Sequence, residues 1–322
     1  FADGLFLTNQ AQAGEGTTNG TPVSQVDLVQ IRLTEPVIDG ISKGIVDSSK
    51  TTAFTAGGLS FAETTATAGF TGGTLNSDWL DNNTFDTLIT DLDAGDRARF
   101  AVVVENTGSS RHGAFDVTIA DTLDAGLSYV AGSLRIYDGD GNALTYSGSD
   151  ADLFAGGITL DDPTATSGAL GESHATNGLN VAVLVYDVTI DSTAQPLQEL
   201  NNMASLTGYA GQDGGQNHVV TPPEASAGVA VINVAATKSI HSTSEAHTGL
   251  VNSIERVAIG EIVRYRIALE VPEGTSPLLT LRDRLPSGLT FIDDGTARVA
   301  FVSDDGNMTS STLSGAGLNA VA

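Results

Sequence analysis

Cysteine is absent from the 322-residue chain, which excludes a disulfide framework and a thiolate metal site and leaves other chemistry to staple the fold. Basic residues are scarce: 14 Lys and Arg stand against 39 Asp and Glu, for a formal net charge of -25. A surface of that sign repels phosphate backbones and anionic lipids, so nucleic acid is a poor partner. No run of about 18 apolar residues occurs, so no membrane insertion is expected in this segment. No segment of a dozen residues keeps a helical apolar period. There is no P-loop, dinucleotide fingerprint or nucleophile elbow, and the five histidines show no metal-ligand spacing. The chain is therefore expected not to be an enzyme acting on a diffusible substrate, and no cofactor is called for.

What is present is glycine (37 residues) with abundant Thr, Ser, Val, Asp and Asn, a mixture that suits short strands joined by turns. RARFAVVVEN (97–106) and VRYRIALEV (263–271) alternate with period two, and FDVTIADTL, SLRIYDG, ALTYS, LNVAVLVYDVTI and NMASLTGY read as further strands. The fold class expected is all-β: tandem immunoglobulin-like antiparallel β-sandwich modules.

An internal repeat organises these strands. The segment from Ala94 to Leu144 lines up with that from Ile259 to Thr309: Gly95 matches Gly260, Asp121 matches Asp283, Gly126 matches Gly288 and Gly141 matches Gly306, at offsets of 165, 162, 162 and 165. Lys43 matches Lys238 at an offset of 195, and Asn9 matches Asn202 at 193. About 30 extra residues therefore lie between Lys43 and Gly95, and they include the single tryptophan, Trp79. This parses the chain as the last strand of a preceding module plus a linker (1–25), a complete module (26–225) with an insertion near 51–90, and the first part of a next module (226–322). The Gly/Pro/Asn-rich stretches 14–24 and 211–224 read as junction linkers. The opening FADGLFLTNQ, without Met, a basic region or an apolar run, reads as the interior of a longer or processed chain.

Lys43 and Lys238 are two of only three lysines, and both sit in apolar strands where an ammonium is costly to bury. Lysine, acid and asparagine recur once per module, in that order. With Lys43, GDRARFAVVVENTG, DTLDAGLSYV and NNMA, followed by Lys238, GEIVRYRIALEV and DRLPSGLTFI, the chain resembles the isopeptide-forming domains of bacterial fimbrial and adhesin proteins and the Ig-like repeats of bacterial surface proteins. The resemblance implies a bond from Lys43 to Asn202 with Asp121 adjacent. It implies a second set using Lys238 and Asp283, and an acceptor role for Asn9 toward a preceding module. The alternative reading keeps Lys43 in an ion pair, Asp121 in a turn and Asn202 in an edge hydrogen bond. The NN pair also leaves Asn201 open as acceptor.

Asp138, Asp140 and Asn142 have the alternating oxygen spacing of a calcium loop, with Asp304, Asp305 and Asn307 at the matched turn; the same residues suit a plain hairpin turn. The expected function is that of a structural repeat in an extracellular, cell-surface stalk, sheath or filament, assembled head to tail by strand complementation. Its expected partners are other copies of itself or neighbouring repeats. The rival reading is an adhesin that binds cell-surface glycan through the insertion, with Trp79 and Phe85 at its tip.

Overall fold

Period-two alternation, broken by Gly, Asn and Asp at the reversals, gives seventeen strands and one six-residue helix among the residues that the computed structural model describes: 2–15, 23–50, 54–61, 69–245, 250–251 and 254–303. β1 (Phe6–Glu15) and β2 (Val23–Arg32) form an antiparallel hairpin with Asn9 opposite Val29. Next come β3 (Ile41–Ser48), α1 (Ser77–Asn82), β4 (Leu88–Leu92), β5 (Arg97–Glu105), β6 (Phe115–Leu123), β7 (Leu127–Tyr129), β8 (Arg135–Asp138) and β9 (Tyr146–Ser147). A 3-10 turn at Asp150–Phe154 leads to β10 (Ile158–Leu160), β11 (Val181–Ile190), β12 (Glu199–Ala210) and β13 (Glu224–Val231). β14 (Ala235–Thr243), β15 (Leu250–Val251), β16 (Ile254–Glu255) and β17 (Val263–Glu270) follow.

Two sheets face each other across one core. The first runs β3-β5-β11-β7, with β8 also paired to β11; the second runs β4-β13-β12-β6-β10-β9. Phe100, Leu184 and Tyr186 from the first sheet meet Ile119, Leu206 and Val229 from the second. The architecture is the all-β sandwich expected, with one departure: β4 joins β13 in parallel. The insertion allows this, because its length carries the chain from β3 across to the other sheet before β4 begins.

The insertion does not project. Phe61, Phe70, Leu75 and Phe85 pack on the outer face of the first sheet, against Val46, Ala101, Val103, Val181 and Val183. β5 and β11 are therefore buried on both faces, whereas period-two alternation in 97–106 would leave one face of β5 to solvent. A residue fully covered on both sides reads as a continuous apolar run, here AVVV and VAVLV. Beside this second cluster, Arg99 grips Asp187 with two hydrogen bonds (2.7 and 2.9 Å) and donates a third to the Phe61 carbonyl (2.8 Å), tying the insertion to the sheet.

The expected boundaries at 25/26 and 225/226 fall inside β2 and β13. The Gly/Pro/Asn-rich stretch 211–224 is, up to Glu224 at the start of β13, the loop of the β12–β13 hairpin, and the described residues of 14–24 (14, 15, 23 and 24) belong to β1 and β2. Such composition marks any chain reversal and does not distinguish a hairpin loop from a junction. The repeat itself is visible in the backbone. β3 pairs β5 with Lys43 opposite Val102 and a register shift between Ile45 and Asp47; β14 pairs β17 with Lys238 opposite Ile267 and the same shift between Ile240 and Ser242.

Junctions repeat as well. After β5, Ser109 donates to Asp3 from its hydroxyl (2.6 Å) and its amide (3.2 Å), and Gly108 lies so close to the Glu35 carbonyl that a Cβ would stand 2.2 Å from it. After β17, Thr275 donates to the carbonyls of Ala194 and Ser192, both at 2.9 Å. In each copy this loop docks on the stretch just ahead of the preceding long hairpin.

The chain divides into two compact units, 1–277 and 278–322. In the second, residues 278–303 turn at 286–289 and form no strand. The offset of 162 places the counterpart of β6 at 277–285. β6 itself is held between β12 and β10, and among the described residues of the second copy no strand takes either place. A strand without a ladder partner has no place for its backbone hydrogen bonds.

Candidate functional site

Four strands each send one polar side chain into the core. In β6, Asp121 is in phase with Phe115, Val117 and Ile119; in β12, Asn202 is in phase with Leu200, Ala204 and Leu206. In β3, Lys43 shares the inward phase of Ile45, and in β11, Tyr186 shares that of Leu184 and Val188. Because strand side chains alternate with period two, Asn202 points inward and Asn201 outward, so the choice of asparagine is made by the strand.

The four groups meet. Lys43 Nζ lies 2.6 Å from Asp121 Oδ2, 2.6 Å from Asn202 Oδ1 and 2.9 Å from the Tyr186 hydroxyl. Tyr186 donates to Asp121 Oδ2 at 2.5 Å and accepts from Asn202 Nδ2 at 2.8 Å. The Lys43 and Asp121 side chains have no exposure to solvent, and neither do Tyr186 and Asn202. The rings of Phe100 and Tyr186 flank the amine, with Nζ 5.4 and 5.7 Å from their centroids.

Burial dominates the electrostatics. It lowers the Lys43 ammonium from its ordinary 10.5 to about 8, against the opposing pull of Asp121. Burial also raises the Asp121 carboxyl, against the opposing pull of Lys43, and holds the Tyr186 hydroxyl well above its usual value. Each partner is thus pushed toward its uncharged form. Asp121 Oδ1 has no hydrogen-bond partner, an arrangement costlier for a carboxylate than for a neutral acid.

Tyr186 is the member that the sequence reading missed. Its signal was a phenol on the core face of an aliphatic strand, since a buried tyrosine hydroxyl needs a partner.

The other expected site residues do not join this cluster. Asn9 is exposed on β1, opposite Val29. Lys238 is exposed on β14, with Nζ 4.5 Å from the Tyr265 ring centroid. Asp283 is exposed in the second unit. Asp138 closes a hairpin turn: its Oδ1 accepts from the amides of Asp140 (2.9 Å) and Asn142 (2.8 Å), and its Oδ2 from Asn142 Nδ2 (2.9 Å). Asp140 turns to the Gly178 amide at 3.1 Å. These are the hydrogen bonds of the plain-turn reading. The matched turn at 304–307 lies outside the described residues. Asp116, Asp162 and Asp213 bring carboxylate oxygens within 4.8 Å of one another in a separate acidic group.

Trp79 is half-buried and Phe85 buried, their ring centroids 5.1 Å apart, so both aromatics of the expected tip are engaged in packing. A cavity of about 270 Å³ beside α1 is lined by Ser42, Lys43, Trp79, Asn83, Phe85 and Ser226, among others.

No protein-family model and no curated protein matches the chain. Among solved structures it is similar to the major pilin subunit BcpA of Bacillus cereus, with 11% identity and a TM-score of 0.36 over 81% of this chain and 64% of that one. It is similar to the T6 backbone pilin of Streptococcus pyogenes (11% identity, TM-score 0.29, 84% of this chain and 72% of that one). A C-terminal fragment of the pilin GBS80 of Streptococcus agalactiae matches at 13% identity and a TM-score of 0.31, over 64% of this chain and 58% of that one. The chain thus spans less than two thirds of the length of the Bacillus cereus subunit.

Proposed function

We propose that the chain is a structural segment of an extracellular filament, stalk or sheath, and that its complete sandwich is locked by an amide bond between Lys43 Nζ and Asn202 Cγ. The observation that carries this reading is a desolvated amine 2.6 Å from the carbonyl oxygen of a buried asparagine and 2.6 Å from a buried acid. The uncharged amine is the nucleophile, Asn202 Cγ the electrophile and Asp121 the acid-base partner. Of the three protons on the ammonium, one ends on Asp121, one leaves with the departing ammonia and one remains on the new amide. The reaction occurs once per module and turns over no external substrate.

Assembly by strand complementation rests on the β1–β2 hairpin. Its Asn9 face carries Leu7, Val29 and Ile31, exposed at 43, 59 and 60%. The same pattern on β12–β13 places Leu200, Asn202 and Val229 in the core. That bare face takes the β14–β17 hairpin of a second copy of the repeat, in the register in which β12–β13 faces β3–β5.

Intact-mass spectrometry of the purified chain tests the bond. A loss of about 17 Da, one ammonia, is expected and should vanish in Lys43→Ala and Asn202→Ala. An unshifted wild-type mass would retire the crosslink. The assembly is tested separately by light scattering: growth with concentration that Leu7→Asp or Val29→Asp abolishes supports it, and a monomer at every concentration removes it. Attachment to glycan-bearing surfaces that is lost on changing exposed insertion residues would favour the adhesin instead.

A further inference from the structure

Resting on the crosslinking reading above, we infer that Tyr186 is a catalytic residue of bond formation, the relay that carries a proton to the departing nitrogen of Asn202. The reaction has a transport problem. A proton taken from Lys43 Nζ is received by Asp121 Oδ2, yet the group that must be protonated before it can leave is Asn202 Nδ2. Asp121 Oδ2 meets Lys43 and Tyr186, and Oδ1 has no partner. Among the described residues, the Tyr186 oxygen alone lies within hydrogen-bond distance of all three participants: the nucleophile at 2.9 Å, the acid at 2.5 Å and the leaving nitrogen at 2.8 Å.

The hydrogen bonds have the direction such a relay requires before reaction and can reverse during it. In the amide, Nδ2 has no basic lone pair and donates to the tyrosine oxygen. Once Nζ has added to Cγ, the carbon is tetrahedral and Nδ2 gains a basic lone pair. Tyr186 then gives its hydroxyl hydrogen to Nδ2 while its oxygen receives the proton held on Asp121 Oδ2. When the C–N bond breaks, ammonia departs, the carbonyl re-forms, and the second proton lost by Nζ returns to Asp121. Tyr186 ends as it began and Asp121 ends neutral, so protons and charge balance.

The ring is fixed for this task. Phe100 stacks on it with centroids 6.1 Å apart, and Phe154 meets it edge-on at 5.4 Å. The titratable groups facing it are Lys43, Asp121 and Tyr129, and the Tyr129 hydroxyl is turned away to Asp150 at 2.9 Å.

The test follows the loss of about 17 Da with time after the unfolded chain, recovered unreacted from inclusion bodies, is diluted out of denaturant. Folding is followed in the same sample by near-ultraviolet circular dichroism. Tyr186→Phe removes only the hydroxyl. It should fold as the wild type does and close the bond on the order of 100-fold more slowly. The wild-type rate should fall on the alkaline side as the pair loses its remaining proton. Should Tyr186→Phe fail to fold, the wild-type sequence made with 3-fluorotyrosine keeps the test open: a more acidic hydroxyl should change the closure rate severalfold and move the alkaline limb to lower pH. A folded Tyr186→Phe that closes at the wild-type rate, or a fluorotyrosine chain with an unchanged rate and profile, overturns the relay while leaving the crosslink standing. A wild type that never loses ammonia sinks the crosslink itself.

Discussion

The chain contains the same pair of strands twice, in two settings. β3–β5 and β14–β17 share register, register shift and lysine position, yet their lysines differ in surroundings. Lys43 is sealed beneath a second sheet and lowered to about 8. Lys238 lies exposed on a two-stranded ladder. The strand pair places the lysine, β11 of the same sheet supplies the phenol, and the opposing sheet removes water and brings the acid and the amide that the proposed reaction needs. The outer faces differ as well. In the complete module Gly44, Val46, Ala101 and Val103 lie beneath the insertion, whereas the matched Ser239, His241, Arg266 and Ala268 are exposed. Gly44 has no room for a side chain, since a Cβ would stand 2.1 Å from that of Phe85; the copy without the insertion carries serine there.

The comparison breaks most visibly at the bond. Asn202→Ala should lower stability by about 5 kcal/mol, because the amide closes a loop between residues 159 apart; urea midpoints of the two chains measure it. Next, Phe61→Ala in the insertion should cost about 4 kcal/mol, as expected for a buried aromatic cut to a methyl group. Asp187→Asn, which strands the Arg99 guanidinium between sheet and insertion, should cost about 3 kcal/mol in the same assay. Exchanging the matched residues sharpens the contrast. Gly44→Ser should cost about 2 kcal/mol through overpacking against Phe85, and Ser239→Gly should stay within about 0.5 kcal/mol. Equal effects from these two changes would mean that the insertion does not set the requirement for glycine.

A further contrast is a pH slope in the uncrosslinked Asn202→Ala chain. The Lys43 amine titrates lower in the folded state than in the unfolded one, so between about 8 and 10.5 the unfolded chain holds the extra proton. Stability should therefore rise with pH across that window, relative to Asn202→Ala combined with Lys43→Met. A difference that falls or stays flat would mean that Lys43 remains charged when buried.

Much of the sandwich was legible because matched glycines and period-two strands record backbone geometry directly. Lys43, Asp121 and Asn202 could be found as residue types costly to bury that recur in a fixed order. Their meeting could not, since it depends on the pairing of two sheets over long sequence separations. Tyr186 escaped because its hydroxyl looks like any strand aromatic until its partners are known. The second covered face of β5 escaped because Ala101 and Val103 fit an alternating pattern loosely while also signalling burial, and only the insertion packed above them decides between the two. The parallel β4–β13 pairing and the hairpin loop at 211–224 are matters of connection, which composition does not encode.

The attachment points of the proposed bond have a mechanical corollary. Lys43 lies in the first strand of the sandwich and Asn202 in its penultimate strand, so a pull along an array would enter one module ahead of Lys43, cross the amide and leave through β12–β13 toward the next. Everything from 44 to 201, the insertion included, would hang beside that line of force as a slack loop. Those residues could change, lengthen or open without lengthening the fibre, and its tensile properties would be set by the short spans near residues 33–43 and 202–235.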